Sequence, residues 1–232
     1  LVSRFFPPAE HADEHDLVMV GGHLSSEWLL DAYRHGIFPW PMWGNWMPMT
    51  WFSLDPRAIM PLDGLYVSKR LKRTIRSGKF QVTCDTAFRE VMKGCSRPRH
   101  KKDGTWITPA MLKAYCKLHQ EGHAHSVEVW HEGQLAGGIY GISIGGLFAG
   151  ESMFHNVRDA SKVALAALVS HLNQRGYHLF DIQQWTEHTG SMGAIEIARS
   201  DYLTLIENVV DLPVSFGQDL CEIEYFGSSL AD

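Results

Sequence analysis

The chain has 232 residues, 45% of them hydrophobic and 20% charged, with a formal net charge of −5. This fits a globular protein that buries a sizeable core in one large domain or two unequal ones, and it excludes a wholly disordered chain and an all-round basic nucleic-acid binder. No apolar stretch reaches the roughly 20 residues of a membrane span, and LVSRFFPPAEHADEHD lacks the apolar run of a secretory signal, so a cytoplasmic protein with no membrane partner is expected.

After this arm, LSSEWLLDAYRHG reads as a helix with Ser25 as N-cap and Gly36 just past its end. GIFPWPMWGNWMPMTWF, residues 36–52, then places Trp40, Trp43, Trp46 and Trp51 among prolines and glycines that let neither helix nor strand run uninterrupted. A boundary between Asp55 and Pro61 is expected, giving a small N-terminal domain over 1–57 and a larger one over 58–232. In VSKRLKRTIRSGKF, Lys69, Lys72, Arg73 and Arg76 share one helical face, while Val67, Leu71 and Ile75 recur every four residues on another. Ser68 caps this helix and Gly78 ends it. Its basic stripe is either a solvated face or a polyphosphate site, and RPRHKK, from Arg97 to Lys102, is a second basic cluster in a loop.

Further on, FQVT reads as a strand, Asp85 as the cap of a helix ending near Gly94, and TPAMLKAYCKLHQEG as a helix with Thr108 at the N-cap, Pro109 at its first position and Gly122 as terminator. HSVEVWHEGQLAGGIYGISIGGLFAGESMF gives three strand-like runs separated by EGQ and IGG, an antiparallel meander. A long helix from about Ala160 to Arg175 and a strand in YHLFDIQQW follow. The expected class is α+β, with a mostly antiparallel sheet and a crossing helix as in acetyltransferase (GNAT-type) folds, although fold alone assigns no chemistry. An acyl-CoA N-acetyltransferase opens its central helix with R/Q-x-x-G-x-G/A, whereas FHNVRDASKVALAAL has no glycine between Phe154 and Leu168. Acyl-CoA chemistry is therefore the alternative reading, and a non-catalytic RNA-binding module is another.

Other cofactor readings find little support. His119, His123, His125 and His188 are available, yet HQEGHAH crosses the terminator Gly122 and no carboxylate completes a metal-ligand spacing. Cys84, Cys95, Cys116 and Cys221 form no C-x-x-C pair, so neither a metal site nor a disulfide framework is expected. GGIYGISIGG lies in a hairpin rather than opening a helix, against a dinucleotide loop. In LFDIQ, strand alternation puts Asp181 and Gln183 on one face, and a carboxylate buried there needs donors.

GGHLSSEWLLDAYRHGIFPW, GTWIT, GHAHSVEVW, LAGGIYG, FAGESMF, ASKVAL, and DIQ followed by EHTGSMGAIEI resemble, in order and spacing, the leucyl/phenylalanyl-tRNA–protein transferase family over roughly Phe6 to Leu212. The resemblance implies transfer of leucine or phenylalanine, and also methionine, from aminoacyl-tRNA to the N-terminal Arg or Lys of a protein, marking it for N-end-rule degradation. No cofactor is implied, and a monomer is expected. By the same resemblance Trp40 and Trp106 hold the terminal adenosine, leaving Trp43, Trp46 and Trp51 for packing. Glu151 receives the acceptor's amino terminus or basic side chain, and Tyr33 joins the substrate-binding residues. Ile139, Phe148, Leu165, Leu168, Leu172 and Phe180 line the donor's apolar pocket, and Lys69, Lys72, Arg73 and Arg76 meet the tRNA backbone.

The resemblance implies that Asp181 and Gln183 are the catalytic pair: the Gln183 carbonyl orients, and can help deprotonate, the incoming neutral amine, while Asp181 fixes and polarises the amide, the proton leaving through this pair or through a ribose hydroxyl of the tRNA. The attacking α-amine has a pKa of about 7.7–8.0, so no strong base is required at neutral pH. Ile182 stands where the family often has cysteine, excluding a thioester there. Gln184, Trp185 and Thr186 replace a more usual Val-x-Asn run, and Leu54 replaces a proline. Leu168 and Leu172 stand where larger aromatic rings occur, so an altered pocket volume is expected.

Overall fold

The computed structural model describes residues 2–42, 48–97 and 105–223. A small sheet comes first, in the order β1-β3-β2, from β1 (Leu17–Val20), β2 (Phe38–Pro39) and β3 (Thr50–Phe52). Between β1 and β2 runs α1 (Ser26–Arg34), where the Ser25 hydroxyl accepts from Trp28 N and so satisfies an otherwise unpaired first-turn amide. Trp51 is fully buried, donates Nε1 to the Gly21 carbonyl at 2.8 Å, and meets Phe6 edge-on at 4.8 Å. It is a packing residue, as expected. Trp43, Trp46 and residues 98–102 of the second basic cluster lie outside the described residues.

The larger sheet runs β10-β4-β9-β8-β7-β6-β5, built from β4 (Arg57–Ile59), β5 (Gln81–Cys84), β6 (Ala124–His131), β7 (Gln134–Ile144), β8 (Leu147–His155), β9 (Leu179–Gln183) and β10 (Ile195–Ile197). Every pairing is antiparallel except β8 with β9. That parallel pair requires a crossover, supplied by α5 (Ala160–Gln174). Among the described residues the remaining α-helices are α2 (Lys69–Arg76), α3 (Phe88–Cys95), α4 (Pro109–Gln120), α6 (Glu187–Gly190) and α7 (Arg199–Val209). Meander, crossing helix and parallel strand follow the acetyltransferase-like order expected from sequence. Among the described residues no helix is long and apolar enough to cross a membrane.

Strand alternation divides the core between the two faces of this sheet. On one face Tyr140 and Ile142 pack with Leu29 and Tyr33 of α1, Phe88 of α3, Tyr115 of α4 and Tyr202 of α7. On the other, Val127, Ile139, Phe148 and Phe180 pack with α5, with Leu71 of α2, and with Phe216 from the segment after α7. Covered by sheet, α2 and this segment, α5 is buried on nearly all sides, which explains its run of apolar and small residues.

Ser68 and Thr108 cap α2 and α4 as expected, and Gly78 and Gly122 follow with positive φ. Asp85 does not cap α3. That helix starts at Phe88, behind Ala87 and with no side-chain cap, while Asp85 takes φ 55° and its carboxylate accepts from Ser126 N at 2.9 Å and meets His125 Nδ1 at 2.7 Å. An imidazole partner and a strand amide outcompete the helix amides for it.

Candidate active site

Asp181 is completely buried on β9 and is supplied with the donors its burial demands. Arg57, on the neighbouring β4, gives a two-pronged contact, Nε to Oδ1 at 2.9 Å and Nη2 to Oδ2 at 2.7 Å. Tyr202 adds its hydroxyl to Oδ2 at 2.6 Å. The Arg57 guanidinium also lies over the rings of Phe38 and Tyr202 and donates to the Gly36 carbonyl. Although burial opposes its charge, the Asp181 carboxylate holds the Arg57 pKa above the ordinary arginine value.

The fourth donor to Asp181 is the backbone N–H of Gln183, at 2.8 Å. Capture of an amide two residues on is the habit of Asp side chains at turns, and Gln183 accordingly leaves the extended conformation at φ 63°. Simple alternation therefore stops at Ile182. Asp181 orients Gln183 through its main chain; the expected contact to the side-chain amide is replaced by one from Glu151, whose Oε1 accepts from Gln183 Nε2 at 2.7 Å. Among the described residues no donor reaches Gln183 Oε1.

Glu151, on β8, accepts from Tyr33 Oη at 2.7 Å and from Tyr115 Oη at 3.1 Å, and the two hydroxyls lie 2.5 Å apart. Burial pushes the Glu151 carboxyl up to about 7 against the pull of these donors, and the neighbouring Asp181 charge adds to the rise. Burial, followed by the charge of Glu151, raises Tyr33 and Tyr115 well above the ordinary phenol value, so both hydroxyls keep the protons they donate. β8 and β9 pair from Leu147/Leu179 to Ala149/Asp181. Beyond that point the side chains of Glu151 and Gln183 bridge the strands. Gly150 stands at the transition, where an added Cβ would lie 2.9 Å from the Phe180 ring.

Trp40 and Trp106 are half-buried and stack on one another, with centroids 5.1 Å apart and planes 11° from parallel. Trp40 follows α1, which carries Tyr33, and Trp106 precedes α4, which carries Tyr115. The same two chain segments are thus joined twice, by indole stacking and by the tyrosine pair above Glu151. Ile139, Phe148, Leu165, Leu168, Leu172 and Phe180 gather in one cluster on the α5 face, none more than 4% exposed. Lys69, Arg73 and Arg76 are exposed on α2, with Lys72 half-buried beside them. Among the described residues no three His, Cys, Asp or Glu side chains form a metal-ligand set.

Sequence reasoning missed Arg57, Tyr202 and Tyr115. The signal for Arg57 was the demand of a buried LFDIQ carboxylate for donors, with one arginine in DPRAIM opening an apolar run; Tyr115 and Tyr202 carried no local signal.

The sequence model of the leucyl/phenylalanyl-tRNA protein transferase N-terminal domain matches residues 22–55, and that of leucyl/phenylalanyl-tRNA protein transferase matches residues 59–207. A protein of Syntrophotalea carbinolica named leucyl/phenylalanyl-tRNA–protein transferase is 51% identical over 204 residues, 88% of each chain. One of the same name from Magnetococcus marinus is 51% identical over 217 residues, 91% of each chain. Among solved structures, L-PGS from Bacillus licheniformis has a TM-score of 0.39 at 14% identity, covering 72% of this chain and 55% of that one. With both sequence models matched in chain order and relatives half identical over about nine-tenths of its length, the chain belongs to the leucyl/phenylalanyl-tRNA–protein transferases, a family of aminoacyltransferases.

Proposed function

We propose that the Glu151–Gln183 bridge is the place where the amino terminus of an acceptor protein beginning with Arg or Lys meets the ester of leucyl-, phenylalanyl- or methionyl-tRNA. The observation that carries this is the Gln183 amide, anchored through Nε2 on Glu151 and through its main chain on Asp181, with Oε1 left to accept from an incoming amine. Glu151, ringed by the hydroxyls of Tyr33 and Tyr115, offers a partly desolvated negative charge to the acceptor's ammonium or basic side chain.

The neutral amine nitrogen attacks the ester carbonyl carbon and forms the C–N bond. The C–O bond to the ribose breaks, and the ribose oxygen leaves with the proton the amine gives up. Trp40 and Trp106 hold the terminal adenosine by stacking, a contact that tolerates any base and contributes about 1–3 kcal/mol. The donor side chain passes beside the last β8–β9 pair, Ala149 and Asp181, into the cluster around Phe148. The α2 stripe of Lys69, Lys72, Arg73 and Arg76 follows tRNA phosphates. In this reading residues 1–57 present one indole and residues 58–232 the other, and a monomer works in the cytoplasm. Incubation with leucyl-tRNA and an Arg-initiated peptide tests the proposal: a mass gain of one leucine residue is expected, and no gain with any of the three charged tRNAs overturns it.

A further inference from the structure

The motif match ends at Leu212, and the sequence alone gives the segment beyond it no role. Resting on the pocket assignment above, we propose that Phe216, in this segment, sets the depth of the donor pocket and hence its preference among side chains. Phe216 is 2% exposed and belongs to the same cluster as Leu165, Leu168, Leu172, Phe148 and Phe180. Because the six pocket residues are at most 4% exposed, an incoming side chain enters only where one of them gives way.

Phe148 is the ring whose neighbours decide how far the cluster can open. It meets Phe180 edge-on at 5.7 Å, Tyr177 edge-on at 6.4 Å and Phe216 at 5.8 Å with planes tilted by 30°. Phe180 is fixed by its strand, and the Tyr177 hydroxyl is tied to that of Ser143 at 2.6 Å. Phe216 is the backstop, and it is held between β6 and α5. Its ring stacks on His125 at 4.2 Å and meets His171 at 4.3 Å. His171 donates Nε2–H to the Phe216 carbonyl at 2.8 Å and accepts at Nδ1 from Cys221 N at 3.1 Å, which fixes its neutral tautomer. Gln174 and Ser170 both donate to the Glu222 carbonyl. The segment thus braces the last turns of α5, from which Leu168 and Leu172 project, and presses one ring behind Phe148.

Truncating that ring gives Phe148 room to retreat, and the larger donor gains most. Since a single methylene in an apolar pocket changes discrimination by roughly 10–200-fold, Phe216→Ala is expected to raise the ratio of kcat/KM for phenylalanyl-tRNA over leucyl-tRNA by at least about tenfold. Phe216→Leu moves it the same way by less, and it decides the matter if the alanine variant does not fold. A purely structural role lowers both donors alike and leaves the ratio fixed, so a ratio within about twofold of the parent in a folded, active Phe216→Leu protein overturns the proposal. Failure of the parent to transfer any amino acid would instead sink the underlying site reading.

Discussion

Asp181 and Gln183 stand two residues apart, yet substitutions at them report different things. Asp181 takes all four of its hydrogen bonds from buried donors, two of them from Arg57. Removing the carboxylate leaves a buried guanidinium uncompensated, so Asp181→Ala is expected to cost about 3–5 kcal/mol of stability, and Arg57→Ala about the same. Urea denaturation measures this, and a loss below about 1 kcal/mol in both variants contradicts the role given to the pair. Gln183→Asn is the cleaner probe of chemistry. Asn tolerates the left-handed backbone at φ 63° and keeps the main-chain amide bonded to Asp181, but its amide is withdrawn by one carbon, about 1.5 Å. Turnover should fall at least about tenfold, with stability unchanged within roughly 1 kcal/mol.

Glu151 adds a pH dependence whose sign follows from its raised pKa. With about 7 in the fold against 4.5 for an ordinary glutamate, the folded protein binds this proton more tightly than the unfolded chain does. The group's contribution to stability is therefore complete below about pH 4.5 and is lost as the pH rises to about 7. Acceptor capture as proposed runs the other way, because it would need the anion. The kcat/KM for an Arg-initiated peptide should climb through about pH 7, and Glu151→Gln should remove that limb while keeping the one from the peptide's own amine near 7.7–8.0. An unchanged profile in Glu151→Gln would assign the limb to another group.

At the scale of elements, most of the fold was legible because caps and periods act locally. Ser25, Ser68 and Thr108 each accept from the amide three residues on, and the 3.6-residue period of α2 puts Leu71 inside and Lys69, Arg73 and Arg76 outside. What could not be read are pairings set by topology. Arg57 and Asp181 are 124 residues apart, and only the placement of β4 beside β9 makes them partners. Asp85 misled for the same reason: its carboxylate was drawn off by His125 and by Ser126 on β6, which no local pattern foretells. The candidate site was half legible, its named residues carried by motif and their holders not.

Trp40 and Trp106 stack on one another with nearly parallel planes. At 5.1 Å between centroids no base fits between them, since an inserted ring needs two carbon–carbon contact distances, roughly 7 Å or more. In the proposed role, adenine adds to an outer face of the pair or parts it. Either way Trp40→Ala is expected to raise the KM for charged tRNA by about 5–150-fold, and a change under twofold would remove Trp40 from the site. On α2, the exposed pair Lys69→Ala and Arg73→Ala should make the slope of log affinity against log salt shallower by roughly 1 for each phosphate left without its cation.

Across the whole molecule, one sheet separates the two sites proposed for acceptor and donor. The carboxylate and tyrosine hydroxyls that would take the acceptor lie on the α1 and α4 face, and the apolar cluster that would take the donor side chain lies on the α5 face. The pairing of β8 with β9 ends at Ala149 and Asp181, beside Glu151 and Gln183. Substitutions on opposite faces share no partners, so their effects should be separable. Tyr115→Phe removes one donor to Glu151, worth about 1–3 kcal/mol, and is expected to raise the KM for an Arg-initiated peptide while leaving the phenylalanyl-over-leucyl preference alone. Leu168→Phe fills the pocket instead and should disfavour the larger donor without altering the peptide KM. In the double variant the free-energy changes should add within about 0.5 kcal/mol. Kinetics with both donors across the four proteins checks this, and a coupling above about 1 kcal/mol would mean that the sheet transmits between the two tasks rather than separating them.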